Sequence, residues 1–402
     1  MQYDFTAEQI AWRDEVRAFL KDNATEALIM ETLEIGNEGK GPESTKFMAA
    51  LQKKGWWSLA WPKEFGGMDR DPMDTWIFVD ELEKAGVPMM PLTVTSVAPT
   101  IMRIGTEEQK AYWIPKIAKG DIDFALGYSE AEAGTDLAAA TSKAELKDGK
   151  WIVNGQKMWT TMAHMGTHVW TIVRTEPDEP KHKGLSMIIV PLDAPGVTVT
   201  PIMVWPGLRT NAVFFDNVEV PEAYQMGQRG MGFYYAAMAL NFERLSLGSI
   251  AMAHRSFKLV VEVVKEATFD GQALKDDPWI RERVGRIQME IDAARLMTLE
   301  TAWALQGGGM PIAESSMSKI YASELTQNIT DLCTQILGMS GQLHFSDKST
   351  LGQGWMQWLY RLAPMFAFGG GTNEVQRDII GFMGLGLPKP SSKKLVKPGT
   401  KS

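Results

Sequence analysis

Residues 124–136 read Phe-Ala-Leu-Gly-Tyr-Ser-Glu-Ala-Glu-Ala-Gly-Thr-Asp, and the rest of the chain is arranged around them. The apolar run Phe124, Ala125, Leu126 reads as a short strand that breaks into a polar turn carrying Ser129, Glu130, Gly134 and Thr135. A turn of that composition at a strand end offers hydroxyls and backbone amides to a planar polar ligand. Further on, Lys157-Met158-Trp159-Thr160-Thr161 closes a second strand-like run with an indole and two hydroxyls. That combination suits stacking on a ring system and hydrogen-bonding its edge. Taken singly, either stretch reads more simply as structural punctuation.

Before this loop the period is helical. Thr6 and Gln9 make a capping box, Phe5 and Ile10 are placed to staple it, and Trp12, Val16, Phe19 and Leu20 share one face. Residues 44–54, with Gly55 at the C-cap position, predict a second helix, and residues 74–84, ending at Gly86, a third. Thr106 and Gln109 open another, expected to stop near Pro115 because the proline ring clashes with the preceding turn. After residue 124 the period becomes two: a hairpin over 145–153 around Asp148-Gly149, then runs over 169–174, 185–192, 197–204 and 212–220. These predict a small β-barrel or sandwich, closed by Pro221, before helical patterns resume over 233–265, 278–305 and 315–337.

A chain of 402 residues, 45% hydrophobic and 22% charged, has room for two or three globular domains. With 41 Lys and Arg against 49 Asp and Glu, it carries no basic field for nucleic acid or an anionic membrane. Cys333 is the one cysteine, so no internal disulfide forms, which goes with a reducing, cytoplasmic setting. The N-terminal residues show no signal segment. The longest apolar run, 355–368, is broken by Gln357, Arg361 and Pro364 and is no membrane span. The five histidines show no metal-ligand spacing. Gly227, Gly230 and Gly232 lack the dinucleotide-loop spacing.

Together, 124–136 and 157–161, preceded by Trp61-Pro62-Lys63-Glu64-Phe65-Gly66-Gly67 and Gly105-Thr106-Glu107-Glu108-Gln109-Lys110, resemble the acyl-CoA dehydrogenase family over about residues 1–386. The resemblance implies an α+β multidomain fold: an N-terminal helical domain (1–122), a central β domain (123–226) and a C-terminal helical bundle (227–386); the lysine- and proline-rich, apolar-poor composition of 387–402 predicts a disordered tail. It implies FAD held by Tyr128, Ser129, Gly134, Thr135, Trp159, Thr160 and Thr161, with Gln335, Thr372 and Glu374 as further contacts, Gln335 toward the dinucleotide of a neighbouring subunit. The activity implied is α,β-dehydrogenation of an acyl-CoA thioester by a tetramer, with electrons passed to an electron-transfer flavoprotein.

That reaction needs a base, and a carboxylate in a dry pocket suits it because desolvation raises its pKa toward that of the activated carbon acid. Most of the family places a glutamate just before the Gly-Thr that opens a late helix; here Phe368-Gly369-Gly370-Gly371-Thr372 puts Gly370 in that seat. Other members carry the glutamate on the first long helix of the last domain, where this chain has Asn241-Phe242-Glu243-Arg244. One-turn spacing sets Glu243 among Ala236, Leu240, Leu247 and Ile250, a lone acid on an apolar stripe. The resemblance therefore implies Glu243 as base, with Thr135, Asn241, Arg244 and Gly370 near the acyl-CoA. On the residues alone, a rim position or an ion pair accounts for Glu243 and Arg244 as well.

The Gly371-Thr372-Asn373 turn opens a helix whose N–H groups could hold a phosphate or ribityl oxygen. Two departures stand out. Met339 replaces the family's second glycine, and Lys265-Glu266-Ala267-Thr268-Phe269-Asp270 lacks the arginine used against the flavin pyrophosphate, with Glu266 and Asp270 repelling a phosphate. A heterotetramer in which a related subunit supplies the phosphate contacts, as in the two-subunit dehydrogenases of steroid side-chain breakdown, accounts for both; a homotetramer is the alternative. The base on the helix suits bulky or branched acyl groups. Rival readings are an oxygen-using oxidase or flavin monooxygenase of the same fold, and a non-catalytic partner subunit.

Overall fold

The computed structural model of the chain describes residues 4–36, 40–242, 249–347 and 349–388. Glu243 and Arg244 lie outside them, as does the tail from 389, and Asn241 is described by its backbone alone. The chain opens with α1 (Ala7–Asn23), capped as read: Thr6 Oγ1 accepts from the Gln9 N–H at 3.2 Å, and Gln9 Oε1 accepts from the Thr6 N–H at 3.0 Å. The expected staple does not form, because Phe5 lies against Trp76, ring centroids 6.2 Å apart, and Ile10 faces solvent. Next come α2 (Glu26–Ile35), α3 (Pro42–Lys53), α4 (Pro72–Ala85), α5 (Ala98–Ile104) and α6 (Glu107–Lys119).

Helix α6 does not stop at Pro115 but runs through it to Lys119, where Gly120 caps it at φ 76°. The missing N–H and ring clash cost about 3 kcal/mol. Trp113, Ile114 and Ile117 flank the proline and are buried in the core, contributing roughly 1.5–3 kcal/mol each, so burial wins.

One eight-stranded mixed sheet follows: β1 (Phe124–Gly127), β2 (Lys143–Lys147), β3 (Lys150–Lys157), β4 (His168–Arg174), β5 (Leu185–Pro191), β6 (Val197–Met203), β7 (Arg209–Pro221) and β8 (Gln225–Met226). Its order is β6-β7-β3-β2-β4-β5-β8, with β1 alongside β4 in parallel, Phe124 opposite His168. The sheet therefore continues past Pro221 into β8, which pairs with β5. Asp148 at φ 50° and Gly149 at φ 74° form the hairpin turn between β2 and β3. The pleat sends Trp170 and Ile172 into a core shared with α5 and α6, while Val169 and Val173 enter a second core on the opposite face.

The chain then returns to helix as α7 (Gly232–Phe242), α8 (Ala251–Glu266), α9 (Pro278–Gln306), α10 (Ile312–Leu337), α11 (Trp355–Phe368) and α12 (Asn373–Ile379). The pattern over 233–265 is not a single helix, since Ser249 and Ile250 are non-helical. Ser249 Oγ instead accepts the Ala251 N–H at 3.2 Å, a side-chain bond that competes with helix continuation. Helix α4 ties the two helical regions: Asp80 meets Arg295 through two 3.0 Å bonds and Trp76 Nε1 donates to Thr298 Oγ1, while Glu81 holds α4 to α1 through two 2.9 Å bonds from Arg17. Among the described residues no helix is long and apolar enough to cross a membrane.

Candidate active site

The loop after β1 is locked to the end of β3 by a buried ion pair. Lys157 Nζ lies 2.7 Å from Glu130 Oε1 and also donates to the Tyr128 carbonyl at 3.2 Å. Glu130 further accepts from the Thr141 N–H (2.7 Å), the Thr141 hydroxyl (2.9 Å) and the Ser142 N–H (3.0 Å). Burial would raise the Glu130 pKa, but Lys157 and these donors hold it down at about 2. Burial pulls the Lys157 ammonium down to about 8 against the attraction of Glu130.

Next to this lock the Met158 N–H donates to the Ser129 carbonyl at 2.8 Å, and Trp159 takes a left-handed φ of 61° that turns its indole outward, 56% exposed. Trp159 and Thr161 line a cavity of about 190 Å³, with Leu126, Met162, Pro91 and Leu92 among its other walls. Thr161 Oγ1 sits 3.3 Å from Thr210 Oγ1. The Thr160 side chain is fully buried, its N–H donates to the Asn211 carbonyl and its carbonyl accepts from Asn211 Nδ2, while its hydroxyl has no hydrogen-bond partner among the described residues. Tyr128 is half-buried, its hydroxyl accepting from Trp170 Nε1 at 3.1 Å, while Gly134 and Thr135 are exposed.

A larger cavity, about 770 Å³, opens between the two helical regions, lined by Trp57, Trp61, Phe78, Met252 and Leu359 among others. Gly369 and Gly370 form part of its wall, Gly370 at φ 68°. Lys319 pins that turn, donating to the carbonyls of Ala367 (3.1 Å) and Gly371 (2.9 Å) and to Asn373 Oδ1 (2.8 Å); burial pulls its pKa down to about 8. Glu83 of α4 also lines the cavity, and burial pushes its carboxyl up to about 7 although Ser249 and the Met252 N–H donate to it.

The remaining expected contacts line neither cavity. Gln335 is exposed, its amide on Asp331 at 2.8 Å. Thr372 caps α12 by accepting the Val375 N–H at 3.2 Å. Glu374 stands in the first turn of that helix and is exposed. Met339 is 79% exposed, and Glu266 leads into the hairpin of β9 (Thr268–Phe269) and β10 (Gln272–Ala273), with Asp270 at φ 49° in its turn.

Known proteins carry the same organisation. Residues 6–121 match the N-terminal domain of acyl-CoA dehydrogenase, 125–218 its middle domain and 230–383 its C-terminal domain. The chain belongs to the acyl-CoA dehydrogenase family. Acyl-CoA dehydrogenase FadE26 of Mycobacterium tuberculosis is 37% identical over 400 residues, covering 97% of this chain and 99% of the relative; FadE29 of the same organism is 32% identical with the same coverage. The structure titled Tcur3481-Tcur3483 steroid ACAD superposes with a TM-score of 0.89 at 34% identity, covering 97% of this chain and all of that one. The ChsE4-ChsE5 complex from M. tuberculosis gives 0.89 at 36% identity with the same coverage.

Acyl-CoA dehydrogenases are FAD-dependent oxidoreductases, typically tetrameric, and the residues present fit the cofactor. The outward indole of Trp159 beside the Thr161 hydroxyl and an apolar wall is a seat for a flat, partly polar ring system. Two acids escaped the sequence reading. In the sequence Glu130 is one polar residue of a turn, and its buried pairing with Lys157 shows it to be structural. Glu83 carried a usable signal, since Thr75, Val79 and Glu83 recur every four residues and all line the large cavity.

Proposed function

We propose that this chain catalyses α,β-dehydrogenation of a bulky acyl-CoA, with Glu243 as the base, within an assembly that includes a related subunit. The observation that carries the reading is the large, mainly apolar cavity with Gly370 in its wall. An acyl group placed there meets no carboxylate at the seat most of the family uses, which supports the alternative seat that the resemblance gives to Glu243. Ser249, the first described residue after Glu243, lines the same cavity. About 770 Å³ lies in the upper part of the roughly 300–1,000 Å³ range of small-molecule pockets, in keeping with a bulky acyl group.

Glu243 would take the α-proton, and a water-poor cavity would hold its pKa high enough to do so. FAD, when bound, supplies the acceptor for the β-hydrogen, and an electron-transfer flavoprotein is the electron acceptor the family resemblance implies. Ser129, Thr135, Trp159 and Thr161 orient the ring system, with Gln335, Thr372 and Glu374 as outlying contacts. Asn241 and Arg244 belong on the acyl-CoA side. A mixed assembly is supported by Glu266 and Asp270, which disfavour a pyrophosphate, and by the similar structures Tcur3481-Tcur3483 and ChsE4-ChsE5, each named as a pair of components. The single, buried thiol of Cys333 goes with a cytoplasmic setting.

The test is the flavin spectrum of the purified chain, alone and co-produced with a related dehydrogenase, during anaerobic addition of acyl-CoAs of increasing bulk. Bleaching by a bulky thioester is expected. Flavin that stays oxidised with every thioester, or peroxide formed stoichiometrically in air, would overturn the reading.

A further inference from the structure

The wall of the large cavity carries few polar groups, and nearly all of them are engaged. The Thr75 hydroxyl donates to the Asp71 carbonyl, that of Thr326 to the Ala322 carbonyl, and Lys319 has three acceptors. Glu64 and Arg103 are exposed. Glu83 is different: it is buried, it lines the cavity, and among the described residues its carboxyl accepts from the Ser249 hydroxyl and the Met252 N–H alone. A carboxylate has about four acceptor sites, and a neutral carboxyl adds an O–H donor, so capacity remains toward the cavity. A buried acid facing an apolar cavity is costly unless something polar meets it.

We propose that Glu83 is a specificity-determining residue, which receives a hydroxyl or ketone oxygen carried by the acyl group away from its thioester. The inference rests on the acyl-CoA reading of this cavity and adds a requirement to it: the bulky group bears oxygen. Ionised, Glu83 accepts from a hydroxyl; neutral, it donates to a ketone. Its burial-raised pKa of about 7 lets both forms occur near neutrality.

The experiment uses the flavin-loaded assembly and three CoA thioesters of one fused-ring carboxylic acid: bare, with a distal hydroxyl, and with a distal ketone at the same carbon. Wild type is expected to favour the oxygenated thioesters roughly tenfold in kcat/KM, chiefly through KM. Glu83→Leu is expected to erase that preference, bringing kcat/KM for the hydroxyl and ketone thioesters to the variant's own value for the bare one. Glu83→Gln keeps an acceptor oxygen and a neutral donor in place of the titrating carboxyl and is expected to change the hydroxyl-to-ketone ratio. If Glu83→Leu yields no folded protein, the Gln variant decides alone, and an unchanged ratio overturns the proposal. Equal losses on all three thioesters would make Glu83 only a cap for α8, and absence of preference in wild type would equally sink the idea. Flavin bleached by none of the three in wild type would instead strike the dehydrogenase reading, and this inference would fall with it.

Discussion

Lys157 Nζ and Glu130 Oε1 meet 2.7 Å apart with the lysine side chain wholly out of water, and this contact sets where the strand-end Trp159 stands. Removing one partner leaves the other charge buried and unpaired. Lys157→Met is expected to destabilise the fold by about 3–5 kcal/mol in denaturant unfolding. Lys157→Met combined with Glu130→Leu is expected to recover a measurable part of that loss. Equal destabilisation in single and double variants would show that the pair is not energetically coupled.

Trp159 separates binding from stability. Its indole is 56% exposed, so Trp159→Ala should change unfolding free energy by less than about 1 kcal/mol, the left-handed backbone being equally demanding for both residues. Loss of an aromatic stacking surface is worth roughly 0.5–1.5 kcal/mol, and FAD affinity should fall about three- to tenfold. Unaltered flavin retention on gel filtration and titration would remove Trp159 from the site.

What was legible in the sequence was what neighbours decide. The boxes at Thr6 and Thr106 and the Asp148-Gly149 hairpin depend on residues within one turn of each other, and all three form as read. Distant partners decided the rest. Glu130 is explained by a lysine 27 residues away, Thr160 by an asparagine 51 away, and Glu83 by a serine 166 away. Pro115 shows the same limit: local chemistry ends the helix, and the tertiary burial of Trp113 and Ile117 carries it on. Trp159 and Thr161 could be singled out because a strand end is a local feature, whereas the turning inward of Thr160 is not.

His254 should make stability fall in mild acid. Its side chain is 7% exposed, neither ring nitrogen has a hydrogen-bond partner among the described residues, and burial, helped by Lys258 and Arg295, holds its pKa down at about 4. The folded value lies below the unfolded 6.5, so the unfolded chain binds the proton more readily and stability drops as pH falls from about 6.5 toward 4. Between pH 7 and 5 this one group accounts for about 2 kcal/mol. His254→Leu should flatten that part of the stability profile; an unchanged slope would assign it elsewhere.

The two candidate seats for the base make opposite predictions. If Glu243 removes the α-proton, Glu243→Gln should lower turnover by about 10²–10⁴-fold, the usual contribution of a positioned base, while FAD content and KM hold. Gly370, in the other seat, has no side chain to lose and sits at φ 68° on the cavity wall. Gly370→Ala should therefore act on structure and space rather than on proton transfer. The left-handed backbone costs a non-glycine residue about 1–2 kcal/mol, so the melting temperature should drop, and the added methyl should raise KM for the bulkiest thioesters first. A Glu243→Gln enzyme that still turns over at wild-type rate would exclude Glu243 as base and move the search to Glu83, a buried acid that lines this cavity.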